Sequence, residues 1–197
     1  MPGKHDYIPW NHNQNGAWGR KLICVVCPPS KIEAGLQTKT PEVCIRKAKE
    51  EDAPGILACL REAFEEFRSR YTSEGFLDTV LTAETLNERL EKMSVFVAVN
   101  SANDVVGTIA CNVVSSAEGH LRGMAVLPSM RGSGVAGQLL VNAEKELRLR
   151  GCARVTLVTT QPLERAMHFY EKHGYWRSGR IADFFGMPLI EYQKTLP

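Results

Sequence analysis

Hydrophobic positions along the chain switch between two periods. Ile56, Leu57, Leu60, Phe64 and Phe67 recur at helical spacing behind Asp52, a capping residue type, with Pro54 in the first turn. A shorter helix fits Thr82 to Met93, with Leu86, Leu90 and Met93 on one side. Val43 to Arg46, ahead of both, reads as a short strand. Three strand-like runs follow in quick succession: Val95 to Val99, Val105 to Val114 and His120 to Leu127, joined by "NSAND" and "SSAEG". Such brief polar links join antiparallel neighbours, because a parallel crossover needs about a dozen residues or more. Ala136, Leu139, Leu140, Ala143 and Leu147 then mark an amphipathic helix, with Arg148 and Arg150 in its last turn and Gly151 beyond. Val155 to Thr160 is a β-branched, buried strand. Pro162 opens another helix that carries Ala166, Phe169, Tyr170 and His173 near one face and ends at Gly174; a final strand fits Leu189 to Thr195. "SRYTSEGFLDTVL" is mixed in character and receives no element. The predicted order is β-α-α-β-β-β-α-β-α-β, an α+β architecture with a mixed sheet.

Residues 1–40 lie outside this alternation. "MPGKHDYIPWNHNQNGAWGR" holds no sustained period, and Pro28-Pro29 and Pro41 punctuate its exit. The expected organisation is an N-terminal extension over 1–40, loosely ordered or laid over the surface, and a compact domain over 41–197. Trp10 and Trp18 are the extension's candidate docking anchors.

Composition narrows the classes. The 197 residues suffice for one buried core, and 44% hydrophobic with 23% charged residues is ordinary for a soluble globular protein. A net charge of +2 gives no footprint for a nucleic-acid or membrane partner. No apolar run approaches the roughly 18–20 residues that span a bilayer, and Leu22 to Cys27 is too short for a signal-peptide core, so a cytoplasmic protein is expected. Cys24-x-x-Cys27, with His5 and His12 upstream, matches no common zinc-finger spacing; reduced thiols and no metal are expected. Cys44, Cys59, Cys111 and Cys152 occur singly in apolar segments and read as small buried hydrophobes.

Candidate chemistry concentrates in "LPSMRGSGVAGQLL". Gly132, Gly134 and Gly137 spell G-x-G-x-x-G, but the context rejects a dinucleotide site. Pro128 to Arg131 separate strand from glycine, and no Asp or Glu follows about 20 residues on, in "CARVTLVTT". Phosphate chemistry survives that rejection. Gly132, Ser133 and Gly134 let backbone N–H groups approach an anion at a helix N-terminus, and Arg131 adds a cation.

The segment "HLRGMAVLPSMRGSGVAGQLL" resembles the acetyl-CoA-binding core of the GNAT superfamily of N-acetyltransferases. That family's Arg/Gln-x-x-Gly-x-Gly/Ala pattern is met by Arg131, Gly134 and Ala136. "ERAMHFYEKHGY" matches the family's following helix at the usual separation. The resemblance covers about residues 42–197. It implies a mixed, mostly antiparallel central sheet flanked by helices, in three α/β/α layers.

The resemblance also implies roles. Arg131, Gly132, Ser133, Gly134, Val135 and Ala136 would bind the pyrophosphate of coenzyme A through backbone N–H groups. Met124, Ala125 and Val126 would bond its pantetheine arm along a strand that splays from Val155 to Thr160. An N–H near Val126 would polarise the thioester carbonyl, and Tyr170 would act as general acid. The base is open. The family's common Glu aligns with His120, an imidazole suited to neutral pH, although a surface His beside "SSAEG" explains it equally well. Glu118 and Glu74 are weaker candidates, and His168 and His173 read as surface or capping residues. Phe184, Phe185 and Met187 read as core or as contact in a homodimer, while the family often builds part of its acceptor cleft there and from "SRYTSEGFLDTVL".

The implied activity is direct acetyl transfer from acetyl-CoA to a primary amine in a ternary complex, with a small-molecule amine slightly ahead of a protein amine. No Cys is placed for a covalent acetyl-enzyme. The alternatives are a non-catalytic acyl-CoA-binding regulatory module, and an interaction protein built on the Trp-containing extension.

Overall fold

The computed structural model describes residues 42–197. The expectations for residues 1–40, including Cys24, Cys27, Trp10 and Trp18, lie outside the described residues. In chain order the elements are β1 (Cys44–Lys47), α1 (Ala53–Glu65), α2 (Ser73–Val80), α3 (Ala83–Lys92), β2 (Ser94–Val99), β3 (Val105–Ser115), β4 (Glu118–Val126), α4 (Val135–Leu149), β5 (Arg154–Thr160), α5 (Glu164–Lys172), β6 (Trp176–Phe184) and β7 (Met187–Thr195).

The seven strands form one sheet in the order β1-β2-β3-β4-β5-β7-β6. Each neighbouring pair is antiparallel except β4 and β5, which run parallel and are joined by the α4 crossover. Two cores cover the two faces. Ile56, Leu60 and Ala63 of α1 and Leu86 of α3 pack on Val95, Val97, Val99 and Ala110. Leu139, Leu140, Ala143 and Leu147 of α4, with Met167 and Tyr170 of α5, pack on Ile109, Cys111, Leu121 and Leu157. β2 is buried along its whole length because both helical layers press on it. The architecture is the expected three-layer α/β/α arrangement around a mostly antiparallel sheet.

Local chemistry explains most boundaries. Thr82 caps α3 by accepting from the Thr85 N–H, and Thr72 caps α2 by accepting from the Gly75 N–H, both at 3.3 Å. Asp52 does not cap α1 as expected. Its carboxylate instead accepts from Arg46 at 2.6 and 2.8 Å and from the Lys49 N–H, while a 3₁₀ turn, Glu50–Asp52, leads into the helix.

Three further expectations need correction. α2 and β6 were missing from the predicted order. β6 escapes because it is an edge strand exposed along most of its length, so no apolar alternation marks it. Cys44 is exposed, at the margin of an edge strand, rather than buried like Cys59, Cys111 and Cys152. Phe185 is not core: it stands 46% exposed at the turn between β6 and β7.

Candidate active site

β4 and β5 are hydrogen-bonded only at their beginnings, from Glu118 opposite Arg154 to Leu121 opposite Leu157. Beyond that point β4 stays with β3, where Ala125 faces Thr108, and β5 stays with β7, where Thr160 faces Leu189. The two strands therefore diverge around a wedge whose walls are unpaired strand edges. Such edges offer main-chain donors and acceptors to an extended ligand. Met124, Ala125 and Val126 lie on one wall.

A bulge shapes that wall. Between the pairs Thr108–Ala125 and Ala110–Arg122, β4 spends one more residue than β3, and Gly123 takes φ +63 there. A methyl group at Gly123 would collide with the guanidinium of Arg89, which lies against the strand in its place. Nothing in the sequence distinguishes Arg89 from any charged residue in the last turn of a helix.

The chain leaves β4 through a 3₁₀ turn, Pro128–Met130, and enters α4 through glycines of positive φ, +77 at Gly132 and +86 at Gly134. Neither glycine has an atom within 4 Å of where a Cβ would stand, so the space before the loop is open. The N–H groups of Gly132, Gly134, Val135, Ala136 and Gly137 donate to no carbonyl among the described residues, whereas Gln138 already donates to Gly134. A row of free donors at the N-terminus of a 15-residue helix suits an anion. Arg131 departs from its expected place. Its guanidinium pairs with Glu66 and donates to the Ala63 carbonyl at 3.0 Å, tying the loop to the end of α1. Gly137 is not a tight contact, because a Cβ there would meet only His173, at an ordinary 3.5 Å.

Tyr170, on α5, donates its hydroxyl to the sulfur of Met124 at 3.4 Å. Burial pushes the phenol above its usual range, so it stays protonated. Edge contacts with Phe169 and Tyr175 fix the ring. His120 is buried on β4, opposite Thr156, with Nδ1 3.0 Å from the Thr156 hydroxyl. Burial, then the nearby Arg122 charge, lower its pKa to about 4. It is thus neither a surface residue nor an ordinary imidazole. The Thr156 hydroxyl also lies 3.3 Å from Glu118, which is ion-paired with Arg154. Glu74 and His168 are exposed, and His173 contacts the Phe169 carbonyl at 2.8 Å at the end of α5.

On the α1–α3 face, Tyr71 meets Thr160 of β5 in a short hydroxyl contact. Thr72 donates to the Phe185 carbonyl at 3.1 Å, so the β6–β7 turn leans on the start of α2. Arg122 of β4 pairs with Asp78 of α2 at 3.1 Å. These residues form a side wall, and "SRYTSEGFLDTVL" supplies three of them. Thr159 was not foreseen: its buried hydroxyl has no hydrogen-bond partner among the described residues, on the part of β5 that has parted from β4. Among the described residues, no His, Cys, Asp and Glu group could hold a metal ion, and no helix is long and apolar enough to cross a membrane.

Known proteins share this arrangement. A GNAT-family acetyltransferase of Staphylococcus aureus Mu50 superposes with a TM-score of 0.66 at 17% identity, over 79% of this chain and 100% of that one. The PaiA N-acetyltransferase of Thermoplasma acidophilum, solved in complex with coenzyme A, gives 0.65 at 19% identity, over 78% and 99%. At these identities the likeness concerns the fold. In sequence, acetyltransferase plu1384 of Photorhabdus laumondii is 33% identical over 95 residues, covering 46% of this chain. The match spans 66% of that relative, just under two thirds of its length. The acetyltransferase (GNAT) family model matches residues 57–175. That span runs from the apolar face of α1, through the diverging strands and the glycine loop, to the turn after α5, and by it the chain belongs to the GNAT acetyltransferase family.

Proposed function

We propose that the protein is an N-acetyltransferase that moves an acetyl group from acetyl-CoA directly to a primary amine, with a small-molecule amine favoured as acceptor. The observation that carries the reading is the neutral, buried Tyr170 hydroxyl addressed to a side chain on the open wall of the β4–β5 wedge. The coenzyme A complex of the Thermoplasma protein is consistent with it.

The free N–H groups of Gly132, Gly134, Val135, Ala136 and Gly137 and the open space before Gly132 and Gly134 fit a pyrophosphate, and the wedge edges at Met124, Ala125 and Val126 fit an amide-bearing arm. When bound, acetyl-CoA supplies a thioester carbonyl open to attack and a thiolate leaving group. Arg131 serves the loop by anchoring it to α1 through its guanidinium. Tyr170 donates to sulfur, a weak acceptor, so its proton is available to a stronger one.

An attacking amine must first be neutral, and one of pKa about 10.4 is mostly protonated at pH 7. His120 stays neutral at that pH and can receive a proton. With its pKa near 4 it is a weak base alone; the Thr156 hydroxyl and Glu118 extend the path toward the surface.

The test incubates the full chain with acetyl-CoA and a panel of amines, following free thiol and acetylated product together. Stoichiometric release of both is expected for at least one amine. Tight CoA binding with no thiol release across the panel would replace this reading by a non-catalytic acyl-CoA-binding module.

A further inference from the structure

Arg89 is a charge the proposed transfer leaves unused. It is carried by α3, is partly buried, and among the described residues its guanidinium makes no hydrogen bond and no ion pair. The nearest carboxylate, Asp78, is held by Arg122 at 3.1 Å. The cluster Arg89, Arg122 and Asp78 thus carries one net positive charge. Gly123 makes the position: with a φ of +63 and no side chain, it lets the guanidinium lie flat on the bulge of β4. The next residue is Met124, whose sulfur meets the Tyr170 hydroxyl.

A desolvated cation with free donors is costly unless it meets an anion. Burial holds the Arg89 pKa down to about 10, and at neutral pH the group is still charged. Its planar fork matches a carboxylate. Successive strand residues face opposite sides of a sheet, so Arg89 lies on the α1–α3 side of β4 and Tyr170 on the α4–α5 side, with β4 and the opening of the wedge between them. An acceptor entering from the α1–α3 side can set a carboxylate on Arg89 while its amine reaches into the wedge. The same positive charge opposes polyamines and lysine-rich segments.

We propose that Arg89 binds a carboxylate of the acceptor, so that the amine acetylated here belongs to an amino-acid-like molecule that carries both groups. This rests on the acetyltransferase reading above.

Matched probes test it: glycine, β-alanine and 4-aminobutyrate against their amides, with the full chain and acetyl-CoA. The amide arm removes the charge, and comparing the acid-to-amide ratio of kcat/KM between wild type and variant cancels the differing amine pKa values. Arg89→Met should lower that ratio at least about tenfold, the loss of one charge-assisted hydrogen bond, and Arg89→Lys should recover part of it. A purely structural Arg89 would lower the melting temperature and leave the ratio alone, which overturns the proposal while transfer itself stands. Where Arg89→Met does not fold, Arg89→Gln takes its place. Calorimetry of the same acids on the CoA-saturated protein separates the two readings. Acids that bind wild type at least tenfold tighter than the variant, with no transfer to any amine, uphold Arg89 and sink the transferase reading. Equal binding and no transfer sink both.

Discussion

The Tyr170 hydroxyl lies 3.4 Å from the Met124 sulfur, joining α5 to the strand wall where β4 has parted from β5. The pair links the proposed acid, buried in the α4–α5 core, to the open wedge. It does so without committing the proton, because a thioether accepts hydrogen bonds only weakly.

Replacing that acid should therefore cost rate rather than binding. Tyr170→Phe is expected to lower kcat by about 10- to 100-fold, the low end for general acid catalysis, since a thiolate leaves readily. Stopped-flow thiol release and CoA titration check it together. An unaltered kcat would strip Tyr170 of its role.

Gly134 is constrained twice, by φ +86 and by the open space before it. Gly134→Val should cost about 1–2 kcal/mol in backbone strain. It should also weaken CoA binding at least tenfold, because the side chain would enter the space assigned to pyrophosphate. A stability loss with unchanged affinity, by calorimetry, would remove the loop assignment.

His120 links stability to pH. Its folded pKa, about 4, lies below the unfolded value near 6.5, so the unfolded chain binds its proton first. The stabilisation is fully present above pH 6.5, falls as pH drops toward 4, and amounts to about 3 kcal/mol. Urea melts at pH 7 and pH 4.5 should show a loss that His120→Asn lacks. The acid limb of turnover should follow the acceptor's amine pKa when acceptors are exchanged, because His120 does not titrate there; a limb fixed across acceptors would contradict this.

Thr159 carries a buried hydroxyl with no partner among the described residues. Thr159→Val should stabilise the free protein, by about 1–3 kcal/mol if the full desolvation cost is relieved. If the bound arm of CoA satisfies that hydroxyl, the same change weakens CoA binding. Thermal melts with and without CoA separate these effects, and a melting temperature lowered in the free form would show that the hydroxyl is satisfied in it.

How much of this was legible in the sequence depended on how locally each feature is determined. Period alone set α1, α3, α4 and α5, because Ile56, Leu60, Leu139 and Leu147 each declare a buried face within a few turns. Short polar links set the antiparallel run β2-β3-β4, and the glycines before α4 with the "HFYEKHGY" helix carried the family. α2 and β6 escaped: α2 is one short helix of eight residues, and β6 owes its strand to pairing with β7 rather than to a buried face.

By itself the sequence determined the order of most elements and the glycine loop, since these follow from periodicity and local backbone chemistry, while the three layers and the role proposed for Tyr170 came from the family resemblance. Only the tertiary structure decided what faces the wedge. Parallel pairing that stops at Leu121 opens it, and a bulge at Gly123 lets Arg89 in from a helix 34 positions earlier. Glu66 claims the Arg131 guanidinium, and burial turns His120 from an ordinary imidazole into a neutral one. Each depends on groups distant in the chain and on the dielectric they create together, which no local pattern encodes.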